Sequence, residues 1–367
     1  MKVPVNEPVI TDTAKKYVAD AMETGWVSSA GKYIDDFEKA FASFIGVKHA
    51  ITTTNGTTAL HLCLATLGIK EGDEVIVPDF TMIGSVDAVL YTRATPIFCD
   101  VDPETYNIDI DQLKNLITPK TKAIMPVHIY GHSVDMDPLL ELAKKNNIAV
   151  VEDAAEAHGA TYKGRKCGGI GDINAFSFYG NKIITTGEGG IVVTNDDELA
   201  AKARLLKDMA HAPNQRFLHL DLGFNYRMTN LQAALGLGEL EHVEEFLQKK
   251  RWMAAEYGKQ LGGIKGLRLP IVKDYADSVY WMYAVLVEDD LGMSRDTLCS
   301  KLKENGVDTR DFFLPCHSQP FLSHLSSAKK AFPVTEDIAK RGFYLPSGLA
   351  LTQEQVEYVC DTLKSVL

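Results

Sequence analysis

Seven short, β-rich apolar runs recur through the first two thirds of the chain, at 50–54, 74–77, 96–100, 122–127, 148–152, 175–179 and 190–194. Several are separated by amphipathic stretches; at 137–146, Leu139, Leu140, Leu142 and Ala143 fall at near-helical spacing. Strand and helix in alternation leave few solutions, because each strand is buried on both sides only when helices cover both faces of a mostly parallel sheet. The expected fold class is therefore α/β. Ahead of the first run, Ile34, Phe37, Phe41 and Ile45 keep a helical rhythm that stops at Gly46, the residue type that tolerates a left-handed helix end.

The texture changes past residue 230. A pattern rich in Leu, Ala, Glu and Lys predicts one long connecting helix over 230–257, broken by Gly262-Gly263. A smaller α+β region follows, with a strand over 279–287, a helix over 294–304 and a last helix opened by Thr352-Gln-Glu-Gln355, a capping-box pattern. The expected division is 1–245 as the large domain and 246–367 as the small one.

Four segments carry chemistry. Asn55-Gly56-Thr57 lies between an apolar strand and a helical run, where free backbone N–H groups and the positive helix end hold a phosphate well. An ordinary capped turn with Thr57 as N-cap has the same local look. Asp153, in Val150-Val-Glu-Asp-Ala-Ala-Glu156, sits at the carboxyl end of a strand, where open α/β sheets present ligand-binding groups, although an acid there also serves as a helix cap. Lys182 follows the strand that delivers Ser177. It is flanked by Ile183-Ile184 and by Gly187, Gly189 and Gly190, and a lysine held beside apolar packing becomes a usable amine nucleophile. Last, Leu222-Gly-Phe-Asn-Tyr-Arg-Met-Thr229 interleaves aromatic and polar residues ahead of a helix cap at Thr229.

Other chemistries fit less well. There is no phosphate-binding G-x-x-x-x-G-K-[ST], and Gly187-Glu-Gly-Gly190 leads into a strand, which rejects a dinucleotide fingerprint. His128 and His132 straddle Tyr130-Gly131, which breaks a shared helix face, so no metal site is expected. Six scattered cysteines without a C-x-x-C pair point to reduced, buried thiols. Thirty-eight Lys and Arg against forty-nine Asp and Glu leave a formal charge of −11, which argues against nucleic acid or an anionic membrane as partner. Without an apolar leader in the first sixteen residues, or any apolar run near the about 18 needed to span a bilayer, the expectation is a cytoplasmic protein.

Asn55-Gly-Thr57, Glu152-Asp-Ala-Ala-Glu156, Ser177-Phe-Tyr-Gly-Asn-Lys182, Gly187-Glu-Gly-Gly190 and Gly223-Phe-Asn-Tyr-Arg-Met-Thr229 occur in this order. Together they resemble the DegT/DnrJ/EryC1/StrS family of nucleotide-sugar aminotransferases, and the resemblance runs from Trp26-Val-Ser-Ser29 to Leu345-Pro-Ser347. It implies the fold-type-I aminotransferase architecture: a large domain with a mainly parallel seven-stranded sheet, a smaller α+β C-terminal domain, and a homodimer with shared active sites. The implied cofactor is pyridoxal 5′-phosphate. Lys182 matches the lysine that bonds it, Asp153 the acid on its ring nitrogen, and Glu156 the Gln/Glu beside its phenolic oxygen. Gly56, Thr57 and Ser177 match phosphate ligands, and Asn225 matches an asparagine that reaches the phosphate from the other subunit. Met82, in Thr81-Met-Ile83, stands where the family usually stacks an aromatic residue on the ring. The intact Lys182 disfavours the dehydratase branch, in which a histidine replaces it.

The implied reaction moves an amino group from L-glutamate to C4 of a nucleotide-linked 4-keto-6-deoxyhexose, with GDP-4-keto-6-deoxymannose the first choice, for a surface polysaccharide such as O-antigen. Trp26, Ser28, Ser29, Arg227 and His317 are the candidate sugar-nucleotide contacts. Cofactor residues carry no information on the acceptor, so UDP- or dTDP-linked 3- or 4-keto sugars stay open. A regulatory or scaffold role is disfavoured by the intact Lys182, Asp153 and Ser177.

Overall fold

A computed structural model describes residues 1–215 and 217–367. Four parallel strands pair in the order Thr95–Cys99, Glu74–Pro78, Thr121–Ile124 and Ala149–Val150. Three antiparallel strands form a second ladder, Asn174–Ser177 beside Gly190–Thr194 beside His49–Thr53. The two ladders meet at one residue: Asp153 makes single parallel bridges to Val127 on one side and Ala175 on the other. All seven apolar runs read from the sequence thus lie in one twisted layer, and Asp153 is at its seam.

Helices cover both faces, as parallel strands require. On one face, Phe37 and Phe41 of the helix Lys32–Ile45 pack with Phe176 and Phe178. That helix ends at Gly46 with φ 87°, as its sequence predicts. On the other face, Leu60, Leu62 and Leu64 of the helix Gly56–Thr66 join Val75, Val77 and Val192. The stretch around 137–146 is the helix Met136–Asn146.

The single long helix expected over 230–257 is two, Asn230–Leu240 and Val243–Leu261, separated at Glu241 and His242. The first piece is pressed against its neighbours through glycine. A Cβ at Gly238 would stand 2.4 Å from Ala14 Cα, and one at Gly236 would stand 2.8 Å from the Phe37 ring. Glu239, 1% exposed, accepts the Thr11 amide at 3.1 Å. The second piece begins on the same core through Val243, Phe246 and Leu247 and runs onto another, where Tyr257 and Leu261 meet Leu298, Leu302, Val356 and Val359. A uniform helical composition did not reveal the break, nor that the second helix spans two cores.

That second core holds an antiparallel sheet in the order Leu267–Arg268, Tyr283–Val287, Gly342–Leu345, Arg310–Asp311. It is covered by the helices Arg295–Glu304 and Gln353–Val366, the latter capped by Thr352 and Gln355 as expected. Val3 bridges to Val307, so the first residues of the chain pack with this C-terminal part. The strand expected over 279–287 begins only at Tyr283. Its first part leaves the ladder because Val279 and Trp281 donate their amides to Gly131 and Tyr130, at 3.1 and 3.0 Å. This detour carries Trp281 to Lys182.

Candidate active site

Alternation along the 149–153 strand end separates two neighbouring acids. Glu152, fully buried, is saturated: Oε1 accepts the amides of Ile170 and Gly171 at 2.6 and 2.5 Å, while Oε2 accepts Gly168 and meets His128 Nε2, both at 2.8 Å. Asp153 points the other way, 4% exposed, and among the described residues its hydrogen-bond donors are the Ser85 hydroxyl at 2.7 Å and the Ala155 amide at 3.1 Å. Burial pushes its carboxyl above the usual range, and the two hydrogen bonds and the Lys182 charge pull it part of the way back.

Lys182 leaves the 174–177 strand by a turn, its amide donating to Tyr179 O at 2.9 Å. Its amine is 3.7 Å from Glu156 Oε1 and 3.7 Å from the centroid of the Trp281 ring, and its side chain is 10% exposed. Burial lowers the amine's pKa, opposed by Glu156 and Asp153. Glu156 Oε2 accepts the Tyr130 amide at 2.7 Å, and burial raises this carboxyl to about 7. Sequence reasoning placed lysine and acids together; it missed Ser85 and Trp281.

The turn at 55–57 is built differently from the expected cap. Asn55, not Thr57, is the N-cap: its side chain accepts the Thr58 amide at 2.9 Å, and Thr58 closes the capping box. Gly56 and Thr57 thereby become the first helical residues, whose amides a helix leaves without intrahelical acceptors. A Cβ on Gly56 would stand 2.7 Å from Ser177 Cβ, so only glycine lets the helix start approach this serine. Thr57 is equally close to the backbone of Gly84, where a Cβ would be 2.7 Å from its hydroxyl.

The remaining candidates are spread more widely. Met82 is 56% exposed, one turn before Ser85, whose amide it accepts at 3.1 Å. Trp26 and Ser28 are exposed, and their carbonyls accept Asn230 Nδ2 and N, both at 2.6 Å; Ser29 is exposed beside them. Asn225 is exposed on a strand-like segment bridged to Asp208. Arg227 is already paired with Asp208 at 2.5 Å. His317 is held by Asp79, which accepts its Nδ1 at 2.6 Å and its amide at 2.8 Å. The six cysteines are free thiols, five of them buried. Among the described residues no helix is long and apolar enough to cross a membrane.

A sequence profile described as the DegT/DnrJ/EryC1/StrS aminotransferase family matches residues 8–364. The chain belongs to this family. It is 47% identical over 368 residues to the GDP-perosamine synthase of Caulobacter vibrioides, spanning 100% of this chain and 98% of that relative. To the GDP-perosamine synthase of Escherichia coli O157:H7 it is 44% identical, spanning 98% and 97%. The fold matches that of Streptomyces venezuelae DesV, solved in complex with a ketimine intermediate, with a TM-score of 0.91 at 36% identity over 96% of this chain and 93% of that one. This DegT/DnrJ/EryC1/StrS member is a fold-type-I, pyridoxal-phosphate-dependent sugar aminotransferase.

The residues present fit that cofactor. Asp153 is a buried carboxyl held above its usual range by burial even though the charges of Lys182 and His128 pull it down, and it would suit a protonated ring nitrogen as a further cationic partner. Lys182 is a desolvated amine suited to an aldehyde. Gly56, Thr57 and Ser177 converge at a helix N-terminus suited to a phosphate. Such a cradle would hold an anion by amides and hydroxyls, with no need of a lysine cluster in an acidic protein.

Proposed function

We propose that the enzyme transfers the amino group of L-glutamate to C4 of GDP-4-keto-6-deoxymannose, giving GDP-perosamine and 2-oxoglutarate. The observation that carries this reading is full-length identity of 44–47% to two GDP-perosamine synthases. Pyridoxal phosphate, when bound, would supply an aldehyde able to take up the donor's amino group and a ring that withdraws electrons from the substrate carbon.

Each role of this chain follows from its chemistry. Lys182 would hold the cofactor's aldehyde, and its amine, when free, could move a proton at the substrate carbon. Asp153, as carboxylate, would favour a protonated ring nitrogen. Glu156, poised near neutrality, accompanies the phenolic oxygen. Gly56, Thr57 and Ser177 would hold the phosphate, and the Met82 thioether could pack on the ring. Asn225 completes the phosphate site of the second protomer in a cytoplasmic homodimer that supplies a surface polysaccharide of the O-antigen type. Residues 1–245 carry the cofactor and 246–367 form the smaller domain. Trp26, Ser28, Ser29, Arg227 and His317 meet the sugar nucleotide, the last two from the positions in which Asp208 and Asp79 hold them.

A panel of GDP-, UDP- and dTDP-linked keto sugars with glutamate, followed through 2-oxoglutarate, tests the acceptor. Turnover of the UDP- or dTDP-linked compounds without the GDP-linked one would sink this assignment. Lys182→Ala should bind the cofactor without the borohydride-reducible yellow colour of a lysine-linked aldehyde. Mixed dimers of Lys182→Ala with Asn225→Ala should regain partial activity; no complementation would remove Asn225 from its shared role.

A further inference from the structure

The geometry points to Trp281 as a positioning residue of the reaction: we propose that its indole face is the seat on which the Lys182 ammonium rests whenever that nitrogen is not bonded to the cofactor. This rests on the reading of Lys182 as the reactive lysine.

The amine stands 3.7 Å from the indole centroid, within the range of a cation–π contact, and such a contact gains strength where water is excluded. The residue is fixed at three points, one on the ring and two on the backbone. Its Nε1 donates to Asn181 O at 2.9 Å, the carbonyl directly preceding Lys182. Its backbone amide donates to Tyr130 O at 3.0 Å, and its carbonyl accepts Lys250 Nζ at 2.8 Å. Lys250 is itself 2% exposed and also donates to Ser347 O. A buried lysine spent on two backbone carbonyls contributes no obvious substrate chemistry; here it fixes the segment that presents the indole.

The charges facing Lys182 explain why an aromatic seat is useful. Glu156 is 3.7 Å away, Asp153 is farther, and His158 is fully buried against Phe176 and Phe178 with a pKa pushed down to about 3, so it stays neutral in the working range. If only carboxylates faced the amine, both Lys182 and Glu156 would depend on one ion pair, and the ammonium would be tied to Glu156. A π face stabilises the ammonium without accepting a hydrogen bond, so the amine stays free to turn toward a substrate carbon. Trp281 thus moderates the burial that lowers this amine's pKa.

The test uses the full-length, cofactor-free protein, in which the titration midpoint of Lys182 is read from the pH dependence of its labelling by trinitrobenzenesulfonate, with peptide mass spectrometry. Trp281→Leu should lower that midpoint by roughly one unit, a tenfold change in the protonation constant and the size of a partly desolvated cation–π contact. Trp281→Phe, which keeps a ring and loses the Nε1 donor, should retain most of the wild-type value. An unmoved midpoint in Trp281→Leu, or equal shifts in both variants, overturns the proposal. Should Trp281→Leu not fold, the wild-type protein labelled with 5-fluorotryptophan decides. The ¹⁹F resonance absent from Trp281→Phe should move with the Lys182 midpoint and stay flat in Lys182→Met, and a wild-type resonance insensitive to that titration overturns the seat. Neither measurement needs cofactor, so a failure here differs from a failure of Lys182 to bond the cofactor, which the colour of Lys182→Ala reports.

Discussion

The Ser85 hydroxyl donates a 2.7 Å hydrogen bond to Oδ2 of Asp153, across 68 positions of sequence. Thr81 stands 3.0 Å behind Ser85, so the hydroxyls form a short relay into a buried acid that otherwise has only the Ala155 amide. Where Glu152 is saturated by three backbone amides and a histidine, Asp153 keeps capacity for a ligand.

Ser85→Ala removes a donor from the carboxylate form, which raises the Asp153 pKa further and weakens its hold on a protonated ring nitrogen. The expected result is about a tenfold loss of pyridoxal phosphate affinity, in line with about 1–3 kcal/mol for a buried hydrogen bond to a charged group. Equilibrium binding followed in the visible measures it, and unchanged affinity would remove Ser85 from the site.

Gly56→Ala places a methyl 2.7 Å from Ser177 Cβ, so the helix start has to retreat. Overpacking of this kind costs about 1–3 kcal/mol, visible as a lower urea midpoint together with weaker cofactor binding. Adding Ser177→Gly relieves the clash, and the pair should regain stability while cofactor binding stays impaired, because the serine hydroxyl is gone.

Glu156 has its carboxyl raised by burial from 4.5 to about 7. For a group raised in the folded state, the stabilisation is complete below the unfolded pKa and is lost as pH climbs through the folded one. The cofactor-free wild type should therefore lose stability relative to Glu156→Gln between about pH 4 and 7, by at most about 3 kcal/mol. Unfolding of both proteins across that range checks the slope; parallel curves would contradict it.

His317 is bound to Asp79, a fully buried acid whose carboxyl burial raises to about 6. His317→Ala strips away the side-chain partner and should cost about 2 kcal/mol of unfolding free energy, beyond any effect on the acceptor KM. An unaltered urea midpoint would leave His317 with a substrate role alone.

Some of this site was readable along the chain. Lys182 and Asp153 follow β-rich runs, and strand ends are where such sheets expose reactive groups. The turn at 55–57 was readable as a helix start but one detail escaped: Asn55 and Thr57 are both good caps, and only the Thr58 contact shows which one the helix uses. Ser85 carries no local mark, since a serine in the first turn of a helix, here Gly84–Tyr91, is common. Trp281 sat inside what reads as an ordinary strand, and it left the ladder because Tyr130 and Gly131 offered carbonyls from a distant loop.

The sequence by itself determined the strand–helix alternation, the helix ends at Gly46, Thr229 and Thr352, and which residues stand at strand ends, because periodicity and capping depend on neighbours within a few positions. Only the tertiary structure showed what spends Glu152 and leaves Asp153 room for a ligand, and which aromatic ring meets the lysine. Trp281 reaches the carbonyl of Asn181 across 100 residues. Desolvation and charge pairing depend on what the fold brings within a few ångströms, and no local pattern records that.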